Sequence, residues 1–185
     1  MGRRILFLGP PGAGKGTQAE MLARALGVPH ISTGVMLRDA IAAGTELGKK
    51  VDAIVASGAL VSDDLVLAIV EDRLAMDDAA CGYLLDGYPR NLAQAVALRD
   101  AVGEDAVEVA LLLDVESDEL VARLLNRAAE QGRADDTEEV IRHRLGVYMT
   151  ETLPLIDHYG DAVIRVNGLG AVDEVFARVV AALAK

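Results

Sequence analysis

Cysteine, tryptophan and positive charge are all scarce in this 185-residue chain. The single cysteine, Cys81, excludes an internal disulfide and a zinc site built from several thiolates. Eighteen basic residues face 29 acidic ones, and the net charge of −11 argues against nucleic acid or an anionic membrane as a partner, because both attract basic surfaces. No apolar run approaches the length of a membrane span. We therefore expect a cytoplasmic protein and, since no apolar stripe suggests an obligate interface, a monomer.

The glycine-rich stretch at residues 9–17, GPPGAGKGT, organises the chain. An apolar run at 5–8 precedes it and predicts a buried strand, whereas 17–26 predicts a helix with Met21, Leu22, Ala25 and Leu26 on one face. Glycines let backbone N–H groups converge, and both the helix N-terminus and Lys15 add positive charge at the same point. The stretch thus predicts a phosphate-binding loop that suits a triphosphate.

Alternating strand-like and helix-like segments predict a parallel sheet covered by helices on both faces. Five strands are expected near 4–8, 28–31, 83–86, 107–115 and 163–166, within a single core domain at 1–185. Two helices at 34–43 and 45–57 follow one another with no strand between them, which indicates a helical insertion at 32–61. Ligands of such sheets bind at the carboxyl ends of the strands.

Helix-capping residues predict further boundaries. Ser62 is expected to cap a helix that runs to about residue 76 and buries Leu65, Ile69 and Leu74. Another helix is expected to begin at Asp136, with Glu139 completing a capping box, and to be kinked or divided at Pro154.

Carboxylate and guanidinium groups supply the chemistry that should accompany a phosphate loop. Asp86 follows an apolar strand and is placed to hold magnesium, directly or through water; a helix-cap or salt-bridge role is the alternative. Gly16 rather than Ser or Thr follows Lys15, so we expect phosphates and water to complete the metal's ligands. Arginine grips phosphate oxygens with two N–H groups at once. Six arginines lie near the expected cleft: Arg38, Arg90, Arg123, Arg127, Arg133 and Arg144.

Five ordered motifs spread over nearly the whole chain resemble those of the adenylate kinases, a family of nucleoside monophosphate kinases. They are the loop at 9–17, ISTG with MLR at 31–38, GALV at 58–61, LDGYPR with Gln94 at 85–94, and RADD with Arg144 at 133–144. The resemblance implies a P-loop NTPase-type fold with a five-stranded parallel sheet. It also implies reversible phosphoryl transfer from Mg-ATP to AMP, giving two ADP.

Site roles carried over from this resemblance divide between the two nucleotides. The residues expected at ATP are Gly12, Ala13, Gly14, Lys15, Gly16, Thr17, Arg123, Arg127 and Gly170. Those expected at AMP are Thr33, Arg38, Ala59, Leu60, Val61, Gly87, Tyr88, Pro89, Arg90, Gln94, Arg133 and Arg144. Catalysis would depend on Lys15, Arg38, Arg90, Arg123, Arg127, Arg133 and Arg144, and Asp86 would hold magnesium through water.

The chain departs from the family pattern at three places. Val35 stands where an acidic residue is common, and Tyr88 replaces a more common Phe. The lid, expected at 126–136, is short, because only residues 128–132 separate Arg127 from Arg133. It has neither the length nor the cysteines of the zinc-binding lids, so we predict no zinc.

Three other functions fit parts of the same pattern. A UMP/CMP kinase of the same fold is the nearest alternative, although the resemblance at Thr33 and Gln94 favours adenine. A nucleotide-dependent switch, or a binding module without catalysis, would need the phosphate loop but no monophosphate acceptor.

Overall fold

The computed structural model describes residues 3–131 and 137–184. Its sheet has five parallel strands in the order β2-β3-β1-β4-β5. The strands are β1 Arg4–Leu8, β2 His30–Ser32, β3 Tyr83–Asp86, β4 Val109–Asp114 and β5 Val163–Asn167. The predicted α/β fold with a five-stranded parallel sheet is confirmed. The second strand begins two residues later than predicted, and the fourth is shorter at both ends.

Helices connect the strands and cover both faces of the sheet. They are α1 Lys15–Leu26, α2 Thr33–Ala42, α3 Glu46–Ser57, α4 Asp63–Leu74, α5 Leu92–Val102, α6 Ser117–Gln131, α7 Glu138–Val147, α8 Leu155–Tyr159 and α9 Val172–Leu183. A π-helical segment, Tyr148–Thr152, joins α7 to the Pro154 turn that precedes α8, so the predicted division at this proline is present. Along the described ranges, no helix is both long enough and apolar enough to cross a membrane.

Two apolar clusters, one on each face of the sheet, form the core. Alternate residues of a strand point to opposite faces, so Leu6 joins α4 and α5 in one cluster while Ile5 and Phe7 join α1 and α9 in the other. Ile5 and Leu6 are fully buried. The strands are thus apolar on both sides, as expected for a parallel sheet between helical layers.

Helix α1 buries a different face from the predicted one. Leu22 is buried as expected, together with Gln18, Ala19 and Ala23, but Leu26 is 42% exposed. The buried polar residue Gln18 explains the error, because its side chain donates a hydrogen bond from Nε2 to the carbonyl oxygen of Val172 at 3.0 Å. The polar side chain of Gln18 therefore faces α9.

Two predicted helix caps also differ. The Ser62 side chain accepts no capping hydrogen bond, and α4 fully buries Val66 and Val70, whereas Leu65, Ile69 and Leu74 are only partly buried. Helix α7 begins at Glu138, and its N-cap is Thr137, whose hydroxyl accepts from the backbone N–H of Val140. Asp136, the predicted start, lies outside the described residues.

The predicted helical insertion corresponds to α2 and α3, which follow β2 with no strand between them. The Thr45 hydroxyl caps α3 by accepting from the Gly48 N–H at 3.0 Å and donates to the Ala40 carbonyl at 3.1 Å. Gly48 lies so close to the backbone of Ala40 that a β-carbon there would overlap it. The two helices therefore pack backbone against backbone.

Candidate active site

The glycine-rich loop runs from the end of β1 to the start of α1, as predicted. Gly12 and Gly14 adopt φ angles of 86° and 92°, a left-handed conformation that costs other residues energy. A β-carbon on Gly12 would also lie 3.0 Å from the carbonyl oxygen of Leu120 on α6. The loop therefore needs glycine both for its curvature and for its close packing on α6. It aims the N-terminus of α1 into a cleft of about 620 Å³.

Lys15 is held against its own loop. Its ammonium group donates to the carbonyl oxygens of Gly9 at 2.7 Å and Pro10 at 2.9 Å. Its pKa is lowered to about 8, chiefly because burial disfavours the charged form. The charge of Asp86 opposes this shift, and three guanidinium groups, those of Arg90, Arg144 and Arg127, reinforce it. The ammonium thus lies in a region already crowded with positive charge.

Asp86 lies at the carboxyl end of β3, beside the end of β2. Parallel pairing sets Ser32 opposite Asp86, and the Ser32 hydroxyl lies 3.2 Å from Asp86 Oδ2. The Nε2 atom of His30 is 3.5 Å from the same oxygen. Burial alone would raise the pKa of Asp86, but the interaction with His30 and the charge of Lys15 together lower it. The carboxylate is therefore held ionised at the floor of the cleft.

A recess beside the cleft is formed by the start of α2, the segment that follows α3, and the loop after β3. The Thr33 hydroxyl donates to the Gly87 carbonyl at 2.8 Å, and Arg90 Nε donates to the same oxygen at 2.7 Å. The first bond joins the start of α2 to the loop after β3, and the second holds Arg90 within that loop. The predicted residues that line the recess are Thr33, Arg38, Ala59, Leu60, Val61, Gly87, Arg90, Gln94 and Arg144.

Among the described residues, three arginines line both the cleft and the recess: Arg38, Arg90 and Arg144. They come from α2, the loop after β3 and α7, so sequence-distant segments bring them together. Arg123 and Arg127 line the cleft from α6. Arg123 donates to Glu119 Oε1 at 2.8 Å and to the Gly168 carbonyl at 3.2 Å. The remaining predicted cleft residues are Gly12, Gly14, Lys15, Gly16, Thr17, Asp86 and Pro89.

Within the described ranges, three predicted site residues line neither the cleft nor the recess. The Tyr88 side chain is 1% exposed and lies in the core, where its hydroxyl donates to the Gln94 carbonyl at 3.2 Å, so the assignment of Tyr88 to AMP stays a prediction that its side chain does not support. Ala13 is also buried. Gly170 lies outside both linings, next to Glu174 at the start of α9. Arg133 lies outside the described residues, as do residues 132–136 of the predicted lid.

Several residues of the cleft were missed in the sequence. The Thr152 hydroxyl, at the end of the π-helical segment, donates to the Arg90 carbonyl at 2.7 Å across 62 positions of sequence. Tyr148 and His30 line the same cleft. His30 could have been found, because it comes directly before the ISTG motif at a strand end. Nothing local signals Thr152, since its partner is fixed only by the fold.

The described residues hold no group of three His, Cys, Asp or Glu side chains that could bind a metal by themselves. Asp86 and the hydroxyl of Ser32 nevertheless offer oxygen atoms to the cleft, and magnesium is commonly bound by one or two carboxylates together with phosphates and water. The residues present therefore fit magnesium bound with a polyphosphate.

Comparison with known proteins gives a consistent result. The family model described as adenylate kinase matches residues 7–164. An adenylate kinase of Synechococcus sp. (strain RCC307) is 53% identical over 188 aligned positions, covering all of both chains. The adenylate kinase of Stenotrophomonas maltophilia (strain R551-3) is 50% identical over 184 positions, covering 97% of this chain and 98% of that protein. That of Mycolicibacterium smegmatis is 50% identical over 182 positions, covering 97% and 98%.

Proposed function

The chain belongs to the adenylate kinase family, and from this premise we propose how its residues carry out the reaction. The protein is an ATP:AMP phosphotransferase. An oxygen of the AMP phosphate attacks the γ-phosphorus of ATP, the bond from that phosphorus to the β-phosphate oxygen breaks, and two ADP molecules result. A UMP/CMP kinase is not favoured, because the similar proteins are named adenylate kinase.

ATP binds along the glycine-rich loop, with its β- and γ-phosphates at the N-terminus of α1. The backbone N–H groups of residues 12–17 and the Lys15 ammonium supply the positive charge. Lys15 would exchange the carbonyl oxygens of Gly9 and Pro10 for phosphate oxygens, which are stronger partners because they are charged. Arg123 and Arg127 reach the same phosphates from α6. The backbone of Gly170 contacts the adenine.

AMP binds in the recess. The adenine lies among apolar side chains that include Leu37, Val55 and Val66, and the segment 58–61 contacts the nucleoside. Arg38 and Arg90 bind the phosphate at the end of the recess that opens into the cleft. Gln94 contacts the base.

Transfer takes place where recess and cleft meet. The observation that carries the proposal is that Arg38, Arg90 and Arg144 line both spaces, so one set of guanidinium groups can bind donor and acceptor phosphates together. Phosphoryl transfer needs such positioning and charge neutralisation more than covalent help from the protein. Arg133, from the segment outside the described residues, completes the set in our proposal. Closure of the helical insertion at 32–61 and of the short lid at 126–136 would exclude water, a competing acceptor.

Magnesium accompanies ATP in this proposal, and Asp86 would hold it through water. The lowered pKa of Asp86 and the nearby Ser32 hydroxyl support this assignment. When bound, the ion would neutralise phosphate charge that the arginines cannot reach. We propose no zinc. We also propose that the protein acts as a monomer, because residues of one chain line both nucleotide spaces. We propose the cytoplasm as its location.

An acceptor-dependence assay tests the function. ADP formation from ATP should require a monophosphate and should be fastest with AMP when AMP, GMP, CMP and UMP are compared. Preference for a pyrimidine nucleotide, or slow ATP hydrolysis unaffected by any monophosphate, would contradict it; the latter result would indicate a nucleotide-dependent switch.

Substitutions test the assigned residues. Lys15→Ala and Arg90→Ala should each lower kcat at least about 100-fold, by analogy with losing a donor that stabilises transition-state charge. Arg99→Ala is the matched control, because Arg99 lies on the surface of α5 and pairs with Asp100 and Glu104. Unchanged rates in the first two variants would discard the proposed roles, whereas an equal loss in the control would indicate a general effect of charge.

A further inference from the structure

The starts of α4 and α5 are joined by a small network of polar side chains. Asp63, the first residue of α4, turns its carboxylate toward α5 and accepts from Gln94 Nε2 at 2.7 Å. It also accepts from Asn91 Nδ2 at 3.1 Å and 3.3 Å. Asn91 caps α5, and its side-chain oxygen accepts from the Gln94 backbone N–H at 2.8 Å. Asp63 therefore serves the neighbouring helix through its side chain.

The Gln94 amide is constrained from both of its ends. Its Oε1 accepts from the backbone N–H of Arg90 at 2.7 Å, while its Nε2 donates to Asp63. An ionised carboxylate can only accept, and a backbone N–H can only donate. If the amide rotated by 180°, two donors would face each other at Arg90 and two acceptors at Asp63. The donor and acceptor ends of Gln94 are thus fixed.

One N–H and one oxygen lone pair of the Gln94 side-chain amide are available to a nucleotide base. Gln94 is 2% exposed, lines the recess and has two N–H hydrogens and two oxygen lone pairs. Its side-chain bonds within the described residues use one of each. The remaining N–H and lone pair match adenine, which presents a ring-nitrogen acceptor beside its amino donor. Guanine presents a ring N–H beside a carbonyl, which is the opposite order, so only a rotated amide would match it.

We propose that Asp63 is a positioning residue for base selectivity, which fixes the Gln94 amide in the orientation that matches adenine and opposes guanine. This inference rests on the proposed binding of AMP in the recess. It assigns Asp63 an effect on which monophosphate is used, without contact between Asp63 and the nucleotide. Loss of the carboxylate leaves only the Arg90 N–H to orient the amide, so discrimination should weaken without disappearing.

The quantity to measure is the ratio of kcat/KM for AMP to kcat/KM for GMP. In Asp63→Ala this ratio should fall about tenfold, the effect of losing one hydrogen bond to a charged group. Asp63→Asn keeps an oxygen that can accept from Gln94 and should keep the ratio within about threefold of wild type. Asp64→Ala is the matched control: Asp64 is the next carboxylate on the same turn, is exposed, and should leave the ratio unchanged. The KM for ATP should change in none of them.

A double-mutant cycle separates this inference from the proposed function. Gln94→Ala should lower the ratio, and adding Asp63→Ala to it should lower the ratio no further, because the two residues act as one unit. If Gln94→Ala keeps the wild-type ratio, the proposed role of Gln94 fails, and the inference fails with it. If Gln94→Ala lowers the ratio but Asp63→Ala does not, the inference alone is overturned. An equal loss for AMP, GMP and ATP in Asp63→Ala would show that Asp63 has only a structural role.

Should Asp63→Ala not fold, Asp63→Ser, whose side chain is too short to reach Gln94, provides the same comparison.

Discussion

Nucleotide binding should be linked to protonation of Lys15. Its pKa is lowered to about 8, chiefly by burial; the charge of Asp86 opposes this shift, and three neighbouring guanidinium groups add to it. Bound phosphates would place negative charge beside the ammonium and raise that pKa again. The protonated form is therefore the one that binds, and affinity should fall as pH rises through 8. Phosphate groups, with a second pKa of about 6, do not titrate in this range.

The size of the effect follows from the pKa. A group with a pKa of 8 is about 90% protonated at pH 7 and about 10% protonated at pH 9, so the association constant for ATP should fall about tenfold, or about 1.4 kcal/mol. Below pH 7 this group should cause no further change. Titration calorimetry without metal, repeated in buffers of different ionisation enthalpy, should show uptake of about 0.9 protons at pH 9 and about 0.1 at pH 7.

Lys15→Arg is the control for this experiment, because a guanidinium group stays charged throughout the range. The guanidinium group differs in shape from an ammonium, so the comparison is made within the variant: its affinity should not change between pH 7 and pH 9. A wild-type affinity that is constant over this range, or binding without proton uptake at pH 9, would refute the reasoning.

Three further predictions concern the walls of the site. Gly58→Ala should raise the KM for AMP at least about fivefold, since φ is 76° there and a β-carbon would lie 2.6 Å from Arg144 Cγ; steady-state kinetics test this, and a lower melting temperature with unchanged KM would contradict it. Thr152→Val should lower kcat about tenfold by removing the donor to the Arg90 carbonyl, whereas Thr152→Ser should keep it; equal rates in both variants would show that the hydroxyl is dispensable. Asp86→Asn should raise the magnesium concentration for half-maximal activity at least about tenfold by removing a charge from the proposed metal site, and an unchanged magnesium titration would exclude that role.

The five strands, the parallel sheet and the phosphate loop belong to the part of the molecule that sequence reasoning could reach, whereas the order of the strands in the sheet was not predicted. An apolar run, a glycine-rich turn and a helix are local features, and the strand at 83–86 was predicted with its observed bounds. The helix predicted at 45–57 is present as α3, and the side chain of Thr45 accepts a capping hydrogen bond at its start. Each of these features depends on residues that are close to one another in the sequence.

Packing between distant elements explains the errors. Helix α4 carries apolar side chains around most of its circumference, so periodicity alone could not select the buried residues Val66 and Val70. Tyr88 lies within the LDGYPR motif at 85–90, and the sequence gives no sign that its ring is buried in the core. The bond between Thr152 and Arg90 and the two-sided constraint on Gln94 each join separate elements, and neither leaves a local pattern in the sequence.

The contact between Gly48 and Ala40 has a consequence for substrate affinity. A helix is stiff over a few turns. The ten residues from Gly48 to Ser57, the end of α3, span about 14 Å, and the recess-lining segment 58–61 begins at their far end. A side chain at position 48 would push α3 away from α2. Because α3 is stiff, its far end, beside the recess, would be displaced as well. We therefore expect the width of the recess to depend partly on residue 48, at the opposite end of the helical hairpin.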